Sequence, residues 1–304
     1  MVIHFGEIEV TDKKYPKVLK EAFKNLIDSQ GPKKLYYKGD FSDEIFKNCL
    51  SVVGSRHLTT YGRKATEQIV SQVALAGVTI VSGFMYGGDE AAHSATVKCG
   101  GRTIAVMPCG INRIHPENQV KLYNEILEKK GLIISEYEGS AQPQNYTYVQ
   151  RDRIVAGLSK AVLVTEAALN SGSLITASYA KKFGKKIFAL PGQITSEVSK
   201  GTLKLIKEGA EPVTDAKDIL DFYKIKPSDA VNVSNNFSKQ VATKAIFGGK
   251  GLEQKIFEQL KREPMKVDDM ARLFFIPIAE LGTILTMMQL KGFINQEGDK
   301  YFIN

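Results

Sequence analysis

Cysteine is scarce in this chain. Three residues, Cys49, Cys99 and Cys109, form an odd set with no Cys-x-x-Cys pair. That argues against a disulfide scaffold and a thiolate zinc site, and it predicts a reducing compartment, the cytoplasm. Histidine is nearly as thin: His4, His57, His93 and His115 show no metal-ligand spacing, so neither a metal nor a cofactor is expected. No apolar run approaches the ~18 residues needed to cross a bilayer, which predicts no membrane association. The start, Met1-Val2-Ile3-His4-Phe5-Gly6-Glu7, lacks the basic and apolar regions of a secretory signal. Catalytic signatures are missing too. There is no Gly-x-x-x-x-Gly-Lys-Ser/Thr loop, no Gly-x-Gly-x-x-Gly and no Gly-x-Ser-x-Gly, so a standard NTPase, a dinucleotide enzyme and a serine hydrolase are unsupported. Asp89 and His93, four residues apart at a helix start, read as a dipole-favoured acid and a structural histidine rather than a catalytic pair. No catalytic residue is assigned.

What is present suits a globular protein. Hydrophobic residues make up 43% and charged residues 24% of 304 positions, enough for one large and one small domain. The formal charge is +8, an excess that favours a polyanionic partner. Its distribution is uneven: residues 251–304 carry a net −1, residues 224–250 a net +4 and residues 1–223 a net +5. The basic surface therefore belongs to the large domain and the linker, and the tail is a poor phosphate-binding module.

From residue 49 onward, short β-branched runs alternate with helical patterns. Strands are predicted at Leu50–Val53, Val78–Val81, Thr103–Met107, Leu132–Ser135, Ala161–Thr165 and Lys186–Leu190, with helices at about 60–76, 89–98, 117–130, 173–183 and 202–208. The strands are nearly continuous apolar runs, as expected of parallel strands covered on both faces. This alternation predicts an open, doubly wound, mostly parallel α/β sheet over 49–223. Residues 1–48 form an amphipathic extension packed on one sheet edge. Residues 224–250 read as a polar linker. Residues 251–304 offer three helices and a hairpin turning at Glu297–Asp299, a small winged-helix-like domain.

In an open parallel sheet, ligands bind outside the carboxyl ends of the strands. The unusual residues collect there: Gly54-Ser55-Arg56 after the first core strand, Gly83 after the second, Asn170-Ser171-Gly172-Ser173 at a helix start, and Pro191-Gly192 after the last strand. Glycines admit close backbone approach, helix N-termini present free N–H groups to phosphate, and Arg56 adds a fork of donors. The segment 136–153, read as a loop, mixes Tyr137, Tyr146 and Tyr148 with Arg151 and Arg153. Tyrosine faces beside cations suit unpaired bases.

At these residues the chain resembles the DNA-processing protein A family (DprA, also called Smf). The shared blocks include Tyr15-Pro16, Val53-Gly54-Ser55-Arg56…Tyr61-Gly62, Val81-Ser82-Gly83…Gly88-Asp89…Ala92-His93, His115-Pro116…Asn118, Ser135-Glu136-Tyr137, Arg151…Arg153-Ile154-Val155-Ala156-Gly157, Ser171-Gly172-Ser173-Leu174-Ile175-Thr176-Ala177, Ala189-Leu190-Pro191-Gly192 and Ser199-Lys200-Gly201-Thr202. The resemblance covers roughly residues 15–220, with a second match at 251–304. It implies a Rossmann-like core that forms a homodimer, binds single-stranded DNA in a basic pocket, and loads a RecA-type recombinase in natural transformation. It also implies a DNA-contacting arginine at Arg56.

Three segments depart from the family pattern. Where the family reads Phe-Pro-x-Arg-Asn-Arg, this chain has Tyr148-Val149-Gln150-Arg151-Asp152-Arg153, and the added Asp152 can either weaken phosphate contact or pair with a neighbouring arginine. Ser-Gly-Leu-Ala-x-Gly-Ile-Asp has become Ser82-Gly83-Phe84-Met85-Tyr86-Gly87-Gly88-Asp89, and the usual Tyr-Pro is His115-Pro116. The core also resembles, more distantly, the nucleotide phosphoribohydrolases, but their Pro-Gly-Gly-x-Gly-Thr-x-x-Glu motif is missing. A third alternative is an interaction protein acting mainly through its winged helix.

Overall fold

A computed structural model describes residues 4–24, 31–225 and 252–303. All but the first two residues of the linker expected at 224–250 lie outside them. The described residues fall into two compact units, one ending at 225 and one beginning at 252.

The larger unit runs, in chain order, β1 (Phe5–Glu9), α1 (Lys17–Lys24), β2 (Lys34–Gly39), β3 (Cys49–Val53), α2 (Thr60–Leu75), β4 (Thr79–Ser82), α3 (Gly88–Lys98), β5 (Thr103–Gly110), α4 (Val120–Glu128), β6 (Leu132–Tyr137), α5 (Asn145–Leu158), β7 (Ala161–Val164), α6 (Ser173–Lys182), β8 (Lys186–Ala189), α7 (Lys200–Lys207), β9 (Glu211–Pro212) and α8 (Ala216–Tyr223). Its nine strands form one sheet in the order β1-β2-β6-β5-β4-β3-β7-β8-β9. The strands from β6 to β9 pair in parallel, while β2 joins β6, and β1 joins β2, antiparallel. This is a Rossmann-like sheet with an antiparallel extension on one edge. From β3 the chain steps outward through β4, β5 and β6, then returns over α5 to β7 on the other side of β3. The strand order thus reverses between β3 and β7, the place where ligands enter such sheets.

Alternation along each strand feeds two covered faces. Val53, Val81, Val106, Ile134 and Val164 pack with Leu19 of α1, Ile154 and Leu158 of α5 and Ala177 of α6. Leu50, Val52, Ile80 and Leu163 pack the opposite face against α2, α3 and α8, through Ile69, Val73, Ala92 and Ile219. Farther out on that face, Met107 and Ile133 meet Leu122 and Ile126 of α4. Each such side chain, fully buried, contributes roughly 1.5–3 kcal/mol.

The segment 136–153 is corrected by the structure. Its second half is helical, because α5 starts at Asn145, where the Gln144 N–H donates to Thr147 Oγ1 at 3.0 Å. The amphipathic signal was missing because the first half of α5 buries Thr147 and Arg151 rather than apolar side chains. Strands β1, β2 and β9 and helix α8 were not foreseen. In β1 only Ile8 is buried, too little for an alternation. α8 is capped by Asp215, whose carboxylate accepts from the Lys217 and Asp218 N–H groups, a capping signal legible in the sequence.

The smaller unit packs helices Leu252–Arg262, Val267–Phe274 and Ile278–Leu290 around Ile256, Phe257, Met270, Leu281, Leu285 and Ile294. Strand β10 (Met265–Lys266) pairs with β12 (Lys300–Ile303), which pairs in turn with β11 (Ile294–Glu297), completing a winged helix. Among the described residues no single helix is long and apolar enough to cross a membrane.

Buried polar groups on α3 give the large unit an acid-sensitive point. Thr103 Oγ1 donates to the Ile80 carbonyl at 2.8 Å, so His93 Nδ1 must donate to Thr103 Oγ1 across 2.7 Å. Burial, with the nearby Arg151 charge, pushes the His93 imidazole down to about 3. Four residues earlier, burial pushes the Asp89 carboxyl up to about 6, against the pull of Arg151. The two act oppositely. A depressed imidazole costs stability as pH falls from 6.5 toward 3, because the unfolded chain takes up the proton first. A raised carboxyl costs stability above its folded value and returns it as pH falls from about 6 toward 3.8. His93→Asn, whose amide still donates to Thr103, should therefore flatten the acid limb. Between about pH 6 and 5 the parent should lose about 1 kcal/mol more than the variant, read from urea midpoints. Parallel pH profiles would show that His93 does not carry this term.

Candidate nucleic-acid interface

Three turns at the carboxyl ends of β3, β4 and β7 lock into one another. The Ser55 N–H donates to the Glu166 carbonyl at 2.7 Å, and Gly88 N–H donates to the Ser55 carbonyl at 3.0 Å. Gly54 and Gly88 face each other so closely that a Cβ on Gly88 would lie 2.6 Å from the Gly54 Cα, while one on Gly54 would meet Thr165 Oγ1 at 2.3 Å. The turn after β4 is further tightened by Phe84, buried at φ 58°, and Gly87, at φ 71°. Asp89 accepts from the Met85 N–H across this turn at 3.2 Å.

Arg56 stands on that platform. Its side chain is exposed, and its guanidinium lies 5.3 Å from the ring centroid of Tyr148, in the first turn of α5. Among the described residues no carboxylate comes within ion-pair distance of it. The Tyr148 hydroxyl is 2.7 Å from His115 Nε2, and the rings meet edge-on. Burial, then the Arg113 charge, lowers the His115 pKa, while burial raises that of Tyr148. Arg56, Tyr148 and His115 thus form one row in which a cation is laid against an aromatic face whose far end is tethered. Such a cation–π contact restrains the guanidinium without consuming its donors.

Arg151 and Arg153 are placed otherwise than expected. Arg151 is 4% exposed. Its Nη1 donates to the Gly83 carbonyl and, at 2.7 Å, to the Val106 carbonyl, while Nε reaches Asp152 Oδ1 at 3.1 Å. Asp152 therefore resolves toward pairing with its neighbour. Arg153 Nη2 donates to both oxygens of Glu136 at 2.7 Å, with its guanidinium carbon 5.5 Å from the Phe23 ring centroid. Both guanidiniums lie buried against protein acceptors, with Arg153 Nη1 left without a hydrogen-bond partner among the described residues. A helix that returns across the sheet carries them inward, a direction the residue types alone do not disclose.

The glycines also serve the fold. A Cβ on Gly83 would meet the Arg151 guanidinium at 2.5 Å, and one on Gly192 would meet Ser199 Oγ at 2.1 Å. Of the candidate glycines Gly54, Gly83, Gly172 and Gly192, only Gly172 has open space around it, and it is exposed. It precedes α6, between Ser171 and Ser173, whose hydroxyls lie 2.8 Å apart. The structure joins Gly54, Ser55, Arg56, Gly83 and Tyr148 in one cluster; among the described residues no hydrogen bond or ion pair ties Ser171–Ser173 or Gly192 to it.

Glu166, two residues past the end of β7, has a structural part. It is 3% exposed, and its carboxylate accepts from the Thr59 N–H at 2.8 Å and the Thr59 hydroxyl at 2.5 Å, at the start of α2. A Cβ on Gly62 would lie 2.4 Å from the Glu166 carboxyl carbon. The helix N-terminus that a dinucleotide fold offers to pyrophosphate is here filled by the protein's own carboxylate. Among the described residues no group of three or more His, Cys, Asp or Glu could hold a metal ion.

The family described as DNA recombination-mediator protein A matches residues 7–224, and the DprA winged helix domain matches residues 241–300. Protein Smf of Escherichia coli (strain K12) is 44% identical over 172 residues, covering 57% of this chain and 46% of that protein, so the match spans less than half of that relative. DNA processing protein DprA of Streptococcus pneumoniae is 37% identical over 216 residues, covering 71% of this chain and 73% of that protein. The X-ray structure of DNA processing protein A from S. pneumoniae superposes with a TM-score of 0.65 at 37% identity, over 71% of this chain and 74% of that one. DNA processing protein A from Helicobacter pylori, a structure described for its single-stranded DNA binding mode, gives a TM-score of 0.62 at 31% identity, over 72% and 96%.

Removing the Glu166 acceptor should loosen the start of α2. Glu166→Ala leaves the Thr59 N–H without its partner, at a cost of roughly 1–3 kcal/mol. Glu166→Gln keeps an acceptor oxygen and should lose less. Thermal and urea unfolding of the two variants check this, and a Glu166→Ala protein as stable as the parent would remove the carboxylate from the account.

Proposed function

The chain belongs to the DNA recombination-mediator protein A family, and on that premise we propose that it binds single-stranded DNA at the turns after β3 and β4, through Arg56 and Tyr148. The observation that carries this reading is the exposed Arg56 guanidinium, restrained on a tyrosine face and unpaired by any carboxylate among the described residues. A phosphate accepts from the guanidinium fork, and a base adjacent to it stacks on or beside Tyr148. Gly54, Ser55 and Gly83 shape the backbone beneath. The open Gly172, flanked by Ser171 and Ser173 at the start of α6, supplies a second place for a phosphate; Gly192, beside Ser199, holds the neighbouring loop. Arg151 and Arg153 act by positioning the site from beneath.

The reading extends to protection of incoming single strands and their delivery to a RecA-type recombinase in natural transformation, by a cytoplasmic homodimer; family membership supports it. It is a binding protein rather than a nucleotide hydrolase, a choice supported by the carboxylate that fills the start of α2. The winged helix is assigned a lesser part in gripping DNA. Its third helix, Ile278–Leu290, contains no lysine or arginine, and its exposed positions include Glu280, Thr283, Thr286, Met287 and Leu290. A face of that kind suits a protein surface better than a phosphate backbone.

Affinity should be higher for single strands than for duplex and should fall with salt. Arg56→Ala should cost roughly 1.5–3 kcal/mol of binding and reduce the salt slope by about one phosphate equivalent. Tyr148→Ala should weaken binding with the slope nearly intact, since it removes a π-face and no charge. Fluorescence anisotropy across a salt series separates the two. An Arg56→Ala protein that folds normally and binds like the parent would refute the site.

A further inference from the structure

Two more tyrosines at the carboxyl ends of the strands are arranged like Tyr148, and nothing in the fold requires their exposure. Tyr61, in the first turn of α2, is 52% exposed, and Tyr86, in the turn between β4 and α3, is 40% exposed. A large aromatic surface left in water needs a reason when it recurs at one edge of a molecule. In each case the hydroxyl is tied to a different loop. Tyr61 donates to the Pro191 carbonyl, after β8, at 2.6 Å, and Tyr86 donates to Asn118 Oδ1, between β5 and α4, at 3.0 Å.

The tether is that of Tyr148 and His115, where the ring is half-buried; in Tyr61 and Tyr86 the polar end is tied and more of the apolar body lies in solvent. A tethered ring has surrendered most of its rotamer freedom before any ligand arrives, so a base that stacks on it does not bear that cost. Packing the rings into the core would have served stability better. Leaving them outside with their hydroxyls engaged prepares flat faces for a flat partner.

The strand order places them in a line. Reading across β5-β4-β3-β7-β8, the Tyr86 tether reaches the β5 side, Arg56 follows β3, and the Tyr61 tether reaches the β8 side. Four strand spacings of about 4.8 Å separate the two ends, roughly 19 Å in all. Arg56 lies between them as the phosphate contact.

We propose that Tyr61 and Tyr86 are additional base-stacking platforms, which extend the single-strand site to both sides of Arg56 and set how long a strand must be to bind fully. The proposal rests on the reading of Arg56 and Tyr148 as the site's centre. Unpaired nucleobases are the chosen occupant because they alone combine a flat face on every residue with the phosphate that Arg56 awaits.

The test is made on the full chain, with a ladder of fluorescent oligothymidylates from about four to sixteen nucleotides and a matching ladder of abasic strands. Tyr61→Ala and Tyr86→Ala should each lower affinity for the longer oligothymidylates by about fivefold or more, and leave the shortest unchanged. Neither should affect the abasic strands. Tyr61→Leu and Tyr86→Leu keep apolar bulk without a ring and should show the same loss, which guards against a folding defect in the Ala variants; melting temperatures confirm it. If Arg56→Ala and Tyr148→Ala weaken binding but Tyr61 and Tyr86 variants bind like the parent at every length, the extended track is overturned and the central site stands. If the abasic strands lose affinity equally, the tyrosines act on the backbone or the fold and the proposal fails. If the parent does not bind oligothymidylate at all, the central reading falls, and this one with it.

Discussion

Arg151 holds the interface together from inside. One guanidinium, almost wholly removed from water, donates to the carbonyls of Gly83 and Val106 and to the carboxylate of Asp152. It thereby fixes the turn after β4, strand β5 and helix α5 against one another. An arginine cannot shed its proton to escape a low-dielectric site, so its charge must be met by fixed oxygen atoms. Asp152 supplies one, the backbone two, and Asp89 lies near enough for Arg151 to draw its carboxyl downward against burial. Burial lowers the pKa of the His93 imidazole, and the same charge adds to that effect. Breaking a pair of this kind by truncating one partner leaves the other stranded, a loss of ~3–5 kcal/mol in comparable cases. The exposed Arg56 and the half-buried Tyr148 owe their positions to this hidden cation: Tyr148 sits one turn before Arg151 on α5, and Arg56 rests on a turn that packs against the one Arg151 pins.

The positive charges of the large unit therefore divide into two kinds. Arg151 and Arg153 are committed to protein acceptors, whereas Arg56 is restrained by an aromatic face that leaves its donors available. Net charge does not distinguish them. A formal +8 counts each equally, yet only the second kind can exchange counterions for a phosphate.

The parallel sheet was readable because its strands are long apolar runs, and such runs have no other use in a chain of this composition. Strand ends were readable through glycine, and the position of Arg56 followed from its place directly after β3. The extent of α5 was not, since Asn145-Tyr146-Thr147-Tyr148-Val149-Gln150-Arg151 has no helical stripe; its inward side is polar and is satisfied by atoms distant in sequence. Direction was likewise hidden. Tyr148 and Arg151 are three residues apart on one helix, yet the first opens to solvent and the second is sealed beneath Gly83. The role of Glu166 was not legible either, since it depends on Thr59, more than a hundred positions away in the chain. Glycines at strand ends carry a second role that residue type alone does not disclose: most lie closely against a neighbouring part of the protein.

The contact between Gly54 and Gly88 bears on how this surface can be re-engineered. With the two backbones in van der Waals contact, any side chain at either position must displace both turns at once, so the support of Arg56 and the start of α3 shift as a single block. Side chains that project outward, Arg56 and Tyr86 among them, can be exchanged singly without disturbing that block. Recognition on this surface is thus modular in its side chains and indivisible in its main chain. A library intended to alter ligand preference would vary the former and leave the glycines untouched.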